Sequence, residues 1–408
     1  MARKADHAHV VAEVLAAELG ADAEALRERQ DLGLELDVQL LRWMWMRAQG
    51  SYSVHPVGEG RALDAYEAAG GAVRQWFDVI LVDEASQMKL PDALVAMSAS
   101  RLNANIILAG DDQQLPPIIH GAYPEEHEYL LTSVFAFVRH QVEAQQATHP
   151  HSEARRLFQL EDNFRMNEPL TAYPRDVLYR GRFQSMRPLL RMRAEPALAA
   201  DSTDVLDQLL LPERPVVLCW YTASQSFTAR NPIEAELVAE LTDKLRPILW
   251  DEQADALFTP ADFAARGLAV LSPHRAQNSA IRQALRDKGY DTPQRPLPLV
   301  DTVDKLQGKE REVILVSYGV ADSEYAMAEA AFLLSSNRFN VAVTRAQKKV
   351  IVLCSEQVLN VVPTDRQVLL DSMMLKEFRR YCNDGHLVLP WQSAAGNAIT
   401  LHIQWKGF

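Results

Sequence analysis

The sequence has few cysteines, no long apolar stretch and no excess of positive charge. Its three cysteines form no CxxC pair and two of them lie in apolar runs, so we expect inert core thiols in a reduced cytoplasm. No apolar run is long enough to span a bilayer, and Glu13 and Glu18 interrupt the stretch in which a signal peptide needs an apolar core. The net charge of −12 argues against binding of nucleic acid through a positive charge of the whole protein, but it is compatible with a local basic surface.

The pattern of apolar residues predicts an α/β fold with parallel sheets. The length of 408 residues and the 48% apolar content are those of a globular protein with two or three domains. Short β-branched runs alternate with stretches of helical spacing from residue 77 onward, whereas helical spacing alone fills residues 1–76. We divide the chain into a helical N-terminal segment (1–76), a first α/β domain (77–154), a second α/β domain (155–378) and a tail (379–408).

The first α/β domain centres on a predicted βαβ unit. Phe77–Val82 is a continuous apolar run, typical of a strand buried on both faces, and it ends in Asp83-Glu84. Leu90–Leu102 has helical spacing, and Ile106–Ala109 is a second apolar run that ends in Gly110-Asp111-Asp112. Parallel strands deliver the residues that follow them to one edge of the sheet, which is where open α/β sheets bind ligands.

An acid pair at such an edge is suited to phosphoryl transfer. Asp83 can hold Mg²⁺ directly or through water, and Glu84 can orient and deprotonate an attacking water. Gln114, in the loop after the second strand, has an amide that can sense a γ-phosphate. The plainer interpretation is that the two acids only cap the helix that follows them, since a helix N-terminus favours carboxylates.

Four short motifs of the second α/β domain carry polar groups suited to phosphates and bases. Arg165 stands beside Phe164, so a guanidinium can reach a phosphate while the ring stacks on a base. Arg275 and Gln277 belong to a polar turn, Ser272–Gln277, that opens a helix. Each feature alone is more often a surface arginine beside a core ring, or an ordinary helix start.

The other two motifs are a glycine turn and an arginine-bearing helix. In Val300–Glu310, Thr302 can bond a nucleic-acid phosphate, Gly308 permits close backbone approach, and Glu310 can accept a hydrogen bond from a ribose hydroxyl. In Asn337–Ala346, Arg338 and Arg345 are seven residues apart, on one face of a helix from which they can reach across a cleft to phosphates. In isolation this stretch favours the plainer interpretation, an exposed arginine pair on a surface helix.

Taken in order, six stretches of the sequence resemble motifs II to VI of the superfamily-1 helicases. The resemblance is strongest to the group that contains the nonsense-mediated-decay helicase and the Okazaki-processing helicase-nuclease, and it covers about residues 77–356. The stretches are FDVILVDEASQ, ILAGDDQQLPP, LEDNFRM, SPHRAQ, VDTVDKLQGKE and NRFNVAVTRA.

The resemblance implies two RecA-like domains, with ATP and Mg²⁺ as ligands and single-stranded DNA or RNA as partner. It implies that Asp83 is the Mg²⁺ ligand and Glu84 the catalytic base, that Gln114 senses the γ-phosphate, and that two arginines act as fingers. Phe164, where the family usually has Tyr, would stack on adenine. By the same likeness Arg165 and Arg345 are the fingers, Gly308, Glu310 and Arg338 contact the nucleotide, and Thr302, Arg275 and Gln277 contact nucleic acid.

One expected motif is absent from the 408 residues. No GxxxxGK[ST] stretch occurs, and Gly308-Lys309 does not supply one, because Val303 stands in the place of the first glycine. The first RecA-like domain is therefore expected to be truncated. Three explanations stay open: a fragment of a longer helicase, a split helicase whose phosphate loop is on a partner chain, or a degenerate regulatory relative. The rival function is a non-catalytic module that binds nucleic acid or a partner protein.

A truncated first sheet would leave an apolar flank uncovered. We expect residues 1–76, or another chain, to cover it, because native proteins avoid exposed strand edges and apolar faces. The Trp43–Met46 cluster is the best candidate, since it offers a large apolar area and has no visible catalytic role.

Overall fold

The computed structural model describes residues 77–97, 100–118, 132–148, 157–179, 181–306, 308–394 and 396–408. The chain divides into two compact units, Met1–Leu157 and Phe158–Phe408. The predicted N-terminal helices, with the Trp43–Met46 cluster, lie outside the described residues. Within the described ranges no helix is long and apolar enough to cross a membrane.

The described part of the first unit contains the predicted βαβ arrangement. Strand β1 (Phe77–Val82) pairs in parallel with strand β2 (Ser100–Leu108), and Val82 lies opposite Leu108. The helix between them is shorter and the second strand longer than the sequence indicates, because the Ser100 hydroxyl donates to the carbonyl of Met97 at 2.7 Å and ends the helix. The elements are β1 (Phe77–Val82), α1 (Leu90–Met97), β2 (Ser100–Leu108) and α2 (Val134–Thr148).

Strand β1 is buried on one face only, so the prediction of burial on both faces is wrong. Val82 is 6% exposed and packs with residues of α1 and α2. On the opposite face Val79 and Leu81 are 55% and 65% exposed, as is Ile107 of β2 at 52%. A continuous apolar run indicates that both faces of a strand are apolar. It does not show that another described element packs on each face.

The second unit is built on one seven-stranded sheet. The strands of the second unit are β3 (Asp162–Asn163), β4 (Gln184–Ser185), β5 (Val216–Tyr221), β6 (Trp250–Asp251), β7 (Ala256–Leu257), β8 (Leu268–Leu271), β9 (Leu299–Asp301), β10 (Arg311–Ser317), β11 (Ala346–Ser355), β12 (Gly385–Gln392) and β13 (Ala398–Lys406). The spatial order in the sheet is β12-β13-β5-β11-β10-β8-β9. Strands β5, β11, β10, β8 and β9 are parallel, and the C-terminal hairpin β12–β13 adds antiparallel to β5.

Helices cover both faces of this sheet, which is why its central strands are apolar throughout. All six residues of β5 are buried. The α-helices of the second unit are α3 (Glu168–Val177), α4 (Val205–Leu210), α5 (Pro232–Leu245), α6 (Pro260–Asp262), α7 (Arg275–Asp287), α8 (Ser323–Ala328), α9 (Ala330–Leu333), α10 (Ser336–Thr344), α11 (Glu356–Leu359) and α12 (Arg366–Tyr381). A π-helical turn (Phe263–Gly267) and a 3-10 turn (Val303–Lys305) complete the unit.

Local sequence signals explain where the helices begin. Asn231 caps α5 by accepting hydrogen bonds from the backbone N–H groups of Ile233 and Glu234, and Pro232 occupies the first helical position. Asp365 caps α12 in the same way, through the N–H of Val368. The thiols predicted to be inert are buried, and burial raises the pKa of Cys219 above its ordinary value.

Candidate functional site

The acid pair of the first unit stands where β1 ends. Asp83 is exposed and its carboxylate accepts a hydrogen bond from the N–H of Glu84 at 2.9 Å. Glu84 has a φ of 52°, a left-handed conformation that a residue with a side chain seldom adopts, and its carboxylate accepts from Gln87 at 2.8 Å. Such strain costs of order 1–3 kcal/mol and accumulates at functional sites. Exposed carboxylate oxygen is also the donor type that suits Mg²⁺.

The loop after β2 is held against the loop after β1. The N–H of Ala85 donates to the carbonyl of Ala109 at 2.8 Å, and the N–H of Asp111 donates to the Ser86 hydroxyl at 3.3 Å. Gly110 permits this approach, because a Cβ there would stand 2.8 Å from the N atom of Ser86. The two strand exits therefore form one polar surface.

Gln114 lies on that surface. Its amide donates to the Asp111 carboxylate at 2.8 Å, and the same carboxylate accepts from the N–H of Gln113 at 3.0 Å. Asp112 is ion-paired with Arg139 of α2. The structure therefore gathers Asp83, Glu84 and Gln114 in the two adjoining loops, as expected for parallel strands.

In the second unit Arg165 and Glu310 form an ion pair, although they are 145 residues apart in sequence. The Nε of Arg165 lies 2.6 Å from the Glu310 carboxylate, and its Nη1 donates to the carbonyl of Thr344 at 3.2 Å. The neighbouring Phe164 is 68% exposed, so its ring is open for stacking. Gly308, two residues before Glu310, has a φ of 72°, which explains the glycine.

Two asparagines hold the loop that presents Arg165. The amide oxygen of Asn163 accepts from the N–H groups of Arg165 and Met166 at 3.0 and 3.4 Å, and its nitrogen donates to Thr171 at 2.9 Å. Asn167 is fully buried and donates to the carbonyl of Lys348 at 2.9 Å, which ties the loop to β11. These contacts place Phe164 and Arg165 without involving either side chain.

Arg345 belongs to the same region. It directly precedes β11 as Glu310 directly precedes β10, and the N–H of Arg311 donates to its carbonyl at 3.0 Å. We call this side of the sheet, where the parallel strands begin, the amino edge. The side chain of Arg345 is only 3% exposed, so it lies inside the unit and not on an open helix face.

Arg275, Thr302 and Arg338 meet at the opposite side, the carboxyl edge, where the parallel strands end. All three line one pocket of about 350 Å³ beside the ends of β8, β9 and β10. Helix α10 runs from this edge back to the amino edge, so Arg338 and Arg345 lie at its two ends, about 10 Å apart along the axis. The structure therefore separates Arg338 from the Arg165–Glu310 pair and groups it with the residues predicted to contact nucleic acid.

Gln277 is fully buried, and its amide is used within the protein. Its oxygen accepts from the N–H of Asn231 at 2.8 Å and its nitrogen donates to the Ser317 hydroxyl at 3.1 Å. Both ends of the amide thereby hold the Ser272–Gln277 turn against α5 and β10. The expectation of a direct nucleic-acid contact for Gln277 is therefore wrong. The sequence of a polar turn does not show which of its side chains points into the protein.

Gln277 is part of a network around the buried carboxyl group of Glu234. Glu234 accepts hydrogen bonds from the hydroxyl groups of Tyr221 and Ser317 at 2.6 and 2.7 Å and from the N–H of Gly319 at 3.0 Å. Burial raises the pKa of Glu234 to about 7, although these hydrogen bonds act in the opposite direction.

The raised pKa of Glu234 predicts a pH-dependent stability. The folded chain binds this proton more tightly than the unfolded chain, so the free energy of unfolding should fall as pH rises from about 4.5 to about 7, by about 3 kcal/mol at most. Urea unfolding of Glu234→Gln should lack this fall. Glu236→Gln, on the same helix and partly exposed, should keep it. Equal pH dependence in all three proteins would show that Glu234 does not titrate in this range.

Some residues of both sites were missed by sequence reasoning. Gln347 donates to the Glu310 carboxylate at 2.5 Å at the amino edge. Arg282 and Lys305 add basic side chains to Arg275 and Thr302 in a second, polar pocket of about 340 Å³ at the carboxyl edge. Arg282 follows Arg275 by seven residues on α7, a spacing that places both on one helix face. That spacing is visible in the sequence and could have indicated Arg282.

Comparisons with known proteins support the resemblance to superfamily-1 helicases. A family described as "AAA domain" matches residues 140–357, which is more than half of the chain, and a second family of the same description matches residues 67–122. The chain is 28% identical over 308 residues to the DNA replication ATP-dependent helicase/nuclease JHS1 of Arabidopsis thaliana, covering 71% of this chain and 20% of that protein. It is 27% identical over 311 residues to the DNA replication ATP-dependent helicase/nuclease DNA2 of Homo sapiens, covering 72% and 26%.

Two further proteins are similar to this chain. The DNA-binding protein SMUBP-2 of Mus musculus is 25% identical over 287 residues, covering 70% of this chain and 25% of that protein. The solved complex of arterivirus nonstructural protein 10 (helicase) with DNA has 13% identity and a TM-score of 0.29, covering 67% of this chain and 39% of that one. The chain spans about a fifth to a quarter of the length of the three curated relatives. The chain belongs to the AAA domain family of superfamily-1 helicases that includes these relatives, and it corresponds to a C-terminal portion of them.

Proposed function

We propose that this chain carries the part of a superfamily-1 helicase that couples ATP hydrolysis to movement along single-stranded DNA or RNA. The observation that supports this most is the arrangement of the second unit. The parallel sheet of this unit has the ion pair of Arg165 with Glu310 at its amino edge. At its carboxyl edge it has a basic pocket that Arg275 and Thr302 line. A nucleotide site and a strand site on opposite edges of one rigid sheet can be coupled by movement of that sheet.

The amino edge is suited to a nucleotide. Phe164 offers an open ring for adenine, Glu310 can accept from a ribose hydroxyl, and Arg165 can reach a γ-phosphate. The side chains of Arg165 and Glu310 are 32% and 45% exposed, so their ion pair contributes at most about 1 kcal/mol and is easily exchanged for contacts with ATP. The pair holds Arg165 extended before the nucleotide arrives.

The first unit would supply the hydrolytic groups of the same reaction. Asp83 would hold Mg²⁺, which supplies charge neutralisation at the phosphates when bound. Glu84 would take the proton of the attacking water, and Gln114 would sense the γ-phosphate. The phosphate-cradling loop has no counterpart in these 408 residues, so we infer that it comes from sequence upstream or from a partner chain.

A non-catalytic helicase-like module is the second candidate. The absence of a GxxxxGK[ST] stretch favours it, because that loop supplies the N–H groups and the lysine that hold the β- and γ-phosphates. Both candidates can bind a strand at the carboxyl edge, and the second can instead bind a partner protein. They differ in whether any form of the protein that includes a phosphate loop hydrolyses ATP.

Strand binding should be weak, salt-dependent and reduced by changes at the carboxyl edge. We expect Arg275→Ala combined with Lys305→Ala to lower the affinity for a single strand at least about tenfold and to reduce the slope of log K against log salt by about 1.4. Arg286→Ala is the matched control, since Arg286 lies on the same helix α7 but pairs with Asp291 at 2.8 Å. Fluorescence anisotropy at several salt concentrations measures both quantities. Absence of binding to both DNA and RNA at low salt would overturn the strand site.

A further inference from the structure

The pocket at the carboxyl edge has an apolar, aromatic interior. Its volume of about 350 Å³ lies at the lower end of the range of about 300–1,000 Å³ that small ligands occupy. The His274 ring lies tilted against the Phe332 ring with centroids 5.5 Å apart, and the Arg338 guanidinium carbon stands 4.6 Å from the Phe332 centroid. The guanidinium lies over one face of the Phe332 ring, and flat groups layered in this way offer their remaining faces and edges to a planar heterocycle.

Buried polar atoms without partners line the same pocket. Ser272 is 2% exposed, and its hydroxyl makes no hydrogen bond within the described residues. The buried Nε2 of His274 likewise lacks a partner there. Buried polar groups are nearly always paired, so these two atoms indicate a ligand whose edge both donates and accepts.

The adjoining pocket is polar and basic. Arg275 and Thr302 form the wall between the two pockets, and Lys305 lies on the polar side. Asn278 also lines the polar pocket and is 1% exposed, and neither end of its amide has a hydrogen-bond partner within the described ranges. His274, the N-cap residue of α7, makes no capping hydrogen bond with its side chain, so it leaves the first N–H groups of this helix uncapped.

The polar pocket also contains one carboxylate, that of Asp301. It accepts from the N–H of Thr302 at 2.8 Å, and its other oxygen lies 3.6 Å from Arg282. The pocket therefore keeps an excess of positive charge from Arg275 and Lys305. An aromatic cavity beside a basic one matches the two parts of a nucleotide, a flat base and a phosphate.

We propose that the aromatic pocket takes one unstacked base of the bound strand, while the adjacent phosphate lies in the basic pocket. The inference rests on the proposed strand site. That site alone requires only contacts with phosphates, whereas the aromatic pocket would also contact one base of the strand. Phe332 and Arg338 stack on the base, Ser272 bonds its polar edge, and Asn278 and Arg275 bond the phosphate. One nucleotide of the strand then contributes more to binding than its neighbours.

The test compares strands of about 12 nucleotides in which one position at a time lacks its base. One such abasic position should lower the affinity about fivefold to a hundredfold, which corresponds to the loss of one stacked base. In Phe332→Leu this penalty should shrink to less than about twofold, while the salt dependence stays that of the wild type. Phe183→Leu is the control, because Phe183 pairs with Tyr179 outside the pocket at 5.0 Å.

Each outcome decides the inference. Ser272→Ala, which removes one hydroxyl, should also reduce the abasic penalty, and it serves if Phe332→Leu does not fold. Binding that is unchanged by every abasic position, or an equal penalty in the wild type and both pocket variants, overturns the base pocket and leaves the strand site standing. Absence of binding to the intact strand overturns both.

Discussion

Replacement of Arg165 by alanine is expected to lower the rate of ATP hydrolysis by about 10³-fold or more while the fold stays intact. An arginine that stabilises the charge on a transferring phosphoryl group contributes about 10³- to 10⁵-fold to the rate. The contacts that Arg165 loses are an exposed pair with Glu310 and one bond to a carbonyl, which together stabilise the fold only weakly. The rate is measured with saturating single strand, on a form of the protein that includes a phosphate-binding loop.

Arg175→Ala is the matched control for this experiment. Arg175 is also an ion-paired arginine of the second unit, but its partner, 2.7 Å away, is Glu168 of the same helix α3. Its removal should leave the rate near that of the wild type. Equal rates for Arg165→Ala and Arg175→Ala would show that Arg165 does not reach the phosphate.

Replacement of Glu84 by glutamine is expected to lower hydrolysis by about 10²- to 10⁴-fold without loss of ATP binding. The amide keeps the size of the side chain and can still accept from Gln87, but it cannot take a proton from water. Rate and nucleotide affinity are measured on the same preparation.

Glu84→Gly separates the two properties of this position. Because Glu84 has a φ of 52°, glycine should relieve backbone strain and raise the free energy of unfolding by about 1 kcal/mol, while the rate falls as in Glu84→Gln. A wild-type rate in Glu84→Gln would contradict the role of Glu84 as base. Destabilisation by glycine would contradict the strain.

The elements of the second unit could be predicted well because each central strand is a short apolar run with polar residues after it. The apolar run Val216–Tyr221 predicts a strand with the bounds of β5, and the apolar run Gly267–Leu271 predicts one that differs from β8 by a single residue. The parallel rule also placed Asp83 and Gln114 in adjoining loops. In both cases the information lies within one element or in the general geometry of parallel strands.

The contacts between distant parts of the chain could not be predicted in this way. Helical spacing puts Arg338 and Arg345 on one face, but only the direction of α10 across the sheet shows that they serve opposite edges. The pair of Arg165 with Glu310 joins two motifs whose approach depends on the docking of Asn167 to β11. The inward direction of Gln277 depends in the same way on the buried Glu234 network, for which the sequence has no local signal.

The proposed function depends most on the expectation that the carboxylates Asp83 and Glu84 and the arginine Arg165 take part in one reaction, the hydrolysis of ATP. A crystal structure of a form that includes the phosphate loop, bound to a non-hydrolysable ATP analogue and Mg²⁺, tests it most directly. The proposed function predicts Mg²⁺ at Asp83 and the γ-phosphate within hydrogen-bond reach of Arg165. Mg²⁺ held away from Asp83, or a γ-phosphate out of reach of Arg165, would contradict it.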